Sequence, residues 1–103
     1  MILEETYEQL REQGLTHSNV DFSKRWLNKS ARYMSMIKAT GREPSVDTLA
    51  RLLANLKLHY DAYKNSQTYV IQQKANGINM ILGTINKELL KAAQSKNDIV
   101  ISR

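Results

Sequence analysis

Seven apolar residues in the C-terminal third, Ile71, Ala75, Ile78, Leu82, Ile85, Leu89 and Ala92, follow one another at spacings of 4, 3, 4, 3, 4 and 3. A helix brings such positions onto one seam; a strand does not. The pattern predicts one long helix over 69–96. It also predicts that this helix lies against something, because Gly77 and Gly83 each weaken a helix interior by about 1 kcal/mol relative to alanine. Three partners satisfy the seam: a second copy of the chain, the chain's own upstream helices, or another protein. The expectation is dimerisation through Ile71, Ala75, Ile78, Leu82, Ile85 and Leu89, with the other two as alternatives.

Upstream the same period recurs in shorter pieces. Ile2, Leu3, Tyr7 and Leu10 mark a first helix over 2–13, opened by glutamates and closed by Gly14. Ser18, three residues before Asp21, caps a short second helix over 19–27 that buries Phe22 and Trp26. Asn28 and Lys29 form a tight turn, and Ser30 offers a cap for a third helix running to Ala39 with Met34 and Ile37 inside. Thr40 and Gly41 end it, Pro44 enforces an extended link, and Ser45 caps a fourth helix. That helix carries Val46, Leu49, Leu52, Leu53 and Leu56 and continues through Tyr63. The polar run "KNSQT", 64–68, is a linker, and 97–103 is read as a flexible tail. The fold class is all-α, four short helices over 1–63 plus a long C-terminal helix.

A chain of 103 residues with 42% hydrophobic content suits one small core. With no cysteine, disulfides and thiolate metal sites are excluded. His17 and His59 lie far apart, His17 on a loop and His59 on a helix surface, so no metal or cofactor is expected. No Ser/His/Asp grouping, glycine-rich phosphate loop or carboxylate pair is evident, and catalysis is not expected. No signal peptide opens the chain and no apolar run approaches the roughly 20 residues that span a bilayer, which gives a cytoplasmic protein without a membrane partner as the expectation.

Charge is segregated. Glu4, Glu5, Glu8, Glu12 and Asp21 crowd the first 21 residues, whereas 22–42 carry Lys24, Arg25, Lys29, Arg32, Lys38 and Arg42 without an acid. Such a block is either a solvated face or a surface for phosphates. Two short helices joined by a tight turn, the second polar and basic, match the helix-turn-helix layout, whose second helix enters the major groove.

At "LNKSARYMSMIKATGREPSVDTLARLLANL", 27–56, the chain resembles the lambda-repressor-like (Cro/XRE-type) helix-turn-helix domains. "REPSVDTLARLLANL" is similar to that family's link and fourth helix, and "FSKRWL" more loosely to its second. The turn is one residue longer than the family's, and two extra residues separate Gly14 from helix 2. The resemblance implies a sequence-specific transcriptional regulator that binds double-stranded DNA, as a homodimer on a palindromic operator. It implies base reading by Asn19, Ala31, Arg32, Ser35 and Met36, with arginine able to grip guanine through two hydrogen bonds. Phosphate contacts fall to Ser18, Lys29, Ser30, Lys38 and Arg42, with Tyr33 either joining them through its hydroxyl or lying half-buried against Phe22. The alternative is a helical protein-interaction module (an anti-repressor, phage inhibitor or antitoxin) on the same scaffold, with a partner on the C-terminal helix.

Overall fold

The computed structural model describes the backbone of residues 2–101 and the side chains of residues 2–94. The fold is all-α. Helix α1 spans Ile2–Glu12. Helix 2 begins as an α-turn, α2 Asn19–Asp21, and continues as a π-helical turn, Phe22–Trp26. Then come α3 Tyr33–Thr40, α4 Val46–Tyr63 and α5 Tyr69–Ile101, with no strand among the described residues.

Local chemistry sets the breaks. Gly14 adopts φ 73°, and its N–H donates to Arg11 C=O (3.0 Å) while that of Leu15 donates to Leu10 C=O (2.9 Å). This is a Schellman closure, sealed by contact-ready Leu10 and Leu15, both buried. Gly41, at φ 66°, ends α3 and donates to Ile37 C=O at 2.9 Å. Ser18 Oγ accepts from Asp21 N–H and Ser45 Oγ from Thr48 N–H, each at 3.1 Å. Both serines therefore act as the N-caps expected of them.

Helix 2 departs from the expected continuous helix over 19–27. Leu27 N–H reaches Phe22 C=O at 3.2 Å, five residues back rather than four. The wider turn carries Phe22, Trp26 and Leu27 all to the inside.

The connection to α3 is also longer than a tight turn. Asn28 takes the left-handed conformation (φ 54°), and α3 starts only at Tyr33. Ser30 is therefore not the side-chain cap of α3; Arg32 stands at that position and makes no capping bond with its side chain. The cap comes from another helix. Ser23 Oγ, fully buried, accepts from Met34 N–H (3.1 Å) and donates to Asn19 C=O (2.7 Å).

The largest correction concerns α5. Its seam faces the chain itself: Ala75, Ile78 and Ile85 are buried, and Leu82 and Leu89 pack half-buried on the same core. Ile81 is buried as well, which widens the stripe beyond the strict heptad. The core joins Leu3, Tyr7 and Leu10 of α1, Phe22, Trp26 and Leu27 of helix 2, Met34, Leu49, Leu52 and Leu56, with Ile78, Ile81 and Ile85. The six residues assigned to dimerisation thus serve intramolecular packing, except Ile71, which is only half-buried at the start of the helix. The physical reason is economy of apolar area: α1 and α4 expose a stripe that no other element covers, and full burial of each isoleucine stabilises by about 1.5–3 kcal/mol.

Gly77 permits one close approach, since a Cβ there would collide with the Gln13 side chain, whereas Gly83 faces open space. Residues 64–68 connect α4 and α5 as expected, but they separate nothing in space. α5 continues to Ile101, so 97–101 extend it; positions 102–103 of the expected tail lie outside the described residues.

Candidate nucleic-acid interface

The segment from helix 2 through α3 presents its polar side chains on a rigid frame. Ser23 ties helix 2 to the first turn of α3, and its C=O also accepts from Lys29 N–H at 2.8 Å. Asn55 of α4 closes the other end of helix 2. Its Nδ2 donates to Trp26 C=O (2.8 Å) and Arg25 C=O (3.3 Å), covering carbonyls that the helix leaves without partners. Trp26 is fully buried and stacks on His59, ring centroids 4.3 Å apart. His59 is therefore half-buried packing rather than a surface residue, and its Nδ1 lies 2.8 Å from Asn55 C=O. The Trp26 indole N–H has no hydrogen-bond partner among the described residues.

Around this frame Ala31, Arg32, Ser35, Met36, Lys38 and Arg42 are exposed, as are Ser18, Lys29 and Ser30. Ala31 and Arg32 belong to the turn that leads into α3, not to the helix itself. Arg32 C=O accepts from Met36 N–H at 3.0 Å, which fixes Arg32 at the N-terminal end of α3.

Asn19 is half-buried, and its Oδ1 accepts from Lys38 Nζ at 3.4 Å. Lys38 also leans over the Tyr7 ring at 5.8 Å, so its ammonium is partly engaged with α1 and helix 2. Tyr33 is half-buried against the core with Lys29 Nζ 5.6 Å over its ring. Arg25, in the same basic block, pairs with Asp21 at 3.3 Å.

α3 and α5 differ from the other α-helices in the charge of their first turns. α1, α2 and α4 each place an acid in the first turn, where the helix dipole is positive. α3 has none there and carries Arg32 instead, with Lys29 three residues before it. A cation at that end is locally unfavourable, and an anion placed there meets both the arginine and the positive end of the helix dipole. Behind the turn, Asn28, Lys29, Asp47 and Arg51 line an open groove of about 560 Å³, which adds Arg51 to the cations of this side.

A family model described as "Family of unknown function (DUF6626)" matches residues 3–98. The chain belongs to the DUF6626 family. No curated protein and no solved structure matches it. The match runs from α1 well into α5, so the DUF6626 unit contains both the basic surface and the helix that braces it.

Sequence reasoning did not find Ser23 or Asn55, which hold the basic surface in place without belonging to it. A small hydroxyl in a basic helix and an asparagine between leucines carry no periodic signal. Val20 was also missed; it is exposed beside Asn19. Among the described residues no group of three or more His, Cys, Asp or Glu gathers to hold a metal, and no helix is long and apolar enough to cross a membrane.

Proposed function

We propose that this DUF6626 chain is a sequence-specific DNA-binding protein that regulates transcription by occupying an operator, with α3 and the turn before it in the major groove. One observation carries the reading: an exposed surface, free of acid from 22 to 42, whose first helical turn concentrates positive potential at Arg32 on a frame pinned by Ser23. Arg32, Ser35 and Met36 face base edges, with Ala31 close to the sugar–phosphate backbone. Lys29, Ser30 and Arg42 bind phosphates, which supply affinity without sequence information. Pairing of two chains on a palindromic operator would use a surface other than the α5 seam, since that seam is buried.

Fluorescence anisotropy of the full chain on duplexes selected from a randomised library tests this. The logarithm of the binding constant should fall with the logarithm of salt concentration by about 0.9 per neutralised phosphate. Arg42→Ala should make that slope shallower by about one, and Arg32→Ala should relax one base pair by about 1–3 kcal/mol. Binding that ignores salt, or that is unchanged by both substitutions together, would overturn the reading.

A second reading, a helical protein-interaction module, draws on Tyr69 and Met80 of α5, which are 73% and 77% exposed. Exposed aromatic and methionine side chains of this kind are enriched at protein interfaces. A stoichiometric complex with one purified protein, abolished by Tyr69→Ala and unaffected by DNA, would favour it.

A further inference from the structure

One side chain on the outer face of α3 is apolar and exposed. Met36 is 39% exposed, one turn beyond Arg32, to whose C=O its N–H is bonded. Thr40 Oγ1 donates to Met36 C=O at 2.9 Å and lies 3.8 Å from its sulfur, which steadies the residue on that face.

The edges of base pairs in the major groove offer donors, acceptors and one apolar group, the C5-methyl of thymine. A thioether has no donor and is a weak acceptor, so methionine cannot tell hydrogen-bonding edges apart. Its unbranched, polarisable chain adapts to a methyl group instead. We infer that Met36 reads the C5-methyl group of a pyrimidine next to the base pair read by Arg32. The inference rests on the DNA-binding reading above and specifies what its site selects. The same methyl group comes from thymine or from 5-methylcytosine.

The test uses the full chain and a duplex obtained by selection. Each thymine is replaced singly by deoxyuridine, which removes the methyl and nothing else. At one position affinity should fall about fourfold, the worth of burying one methyl-sized group. Met36→Ala should lose the same factor on the parent duplex and be indifferent to deoxyuridine there, while Met36→Leu keeps the discrimination. At that position 5-methylcytosine, paired with guanine, is then compared with cytosine. A preference for the methylated base shows that the methyl is read in either setting, and no preference assigns it to thymine; both uphold the inference. If wild type and Met36→Ala respond alike to deoxyuridine at every position while binding the parent duplex in a salt-dependent way, the inference is overturned and the DNA-binding reading stands. If no duplex binds, both are overturned.

Discussion

Asp21 ties the loop before helix 2 to the helix itself. Its carboxylate accepts from Thr16 Oγ1 (2.6 Å) and His17 N–H (3.3 Å) and pairs with Arg25 (3.3 Å). Burial pushes its pKa up, but the bonds from Thr16 and His17 and the charge of Arg25 outweigh this and hold it below the ordinary carboxylate value. Because the folded pKa is depressed, the stability it contributes is fully present above the unfolded pKa of about 4 and is lost as pH falls through the lower folded value. Asp21→Asn should therefore lower the urea midpoint at neutral pH, and the gap from wild type should close in acid below that window. An equal gap at all pH values would show that the ionised form has no special role. Of this cluster the sequence discloses Ser18 and Asp21, which stand at cap spacing. Thr16 and His17 depend on how the chain crosses from Gly14 to Ser18, a path that no periodicity encodes.

Single elements are the most legible level. The apolar spacing of α1 and α4 gives their extents to within a residue, because an amphipathic helix has to repeat its buried face. Junctions are not legible in this way. A π-turn shifts one hydrogen bond and leaves composition unchanged, and the six-residue connection 27–32 exists because Asn28 turns left-handed. The cap of α3 came from Ser23, eleven positions before the Met34 N–H it satisfies, rather than from nearby Ser30. Ser23→Ala should cost about 1–3 kcal/mol, since it strands a buried backbone N–H. Denaturant unfolding measures the cost, and Ser23→Thr is no substitute at a fully buried position. The basic side chains of 22–42 are readable from charge alone; the frame that holds them is not.

On the scale of the molecule, α5 sets the dimensions. Its 33 residues, at about 1.5 Å each, account for the long extent of 52 Å. A heptad seam announces an apolar stripe but is silent about whose surface covers it, so the sequence could not separate folding back from dimerising. With the seam inside, Ile78→Ala should destabilise by about 2–5 kcal/mol. The wild-type melting temperature should not change with protein concentration, as it does when two chains complete one core; a rise on a tenfold increase in concentration would contradict the intramolecular arrangement. The π-turn at Phe22–Trp26 has one more consequence, for the lengths of chain the molecule accepts. The turn holds one residue more between Phe22 and Leu27 than an α-turn does, so deleting Lys24 would let the same Phe22–Leu27 bond close four residues back and leave all that follows in place. Leu27 would stay in the core and the basic face of α3 would keep its direction. An extra residue within 64–68 merely slackens an external connection. The chain can thus lose a residue at one joint and gain one at the other without altering where its charges are aimed.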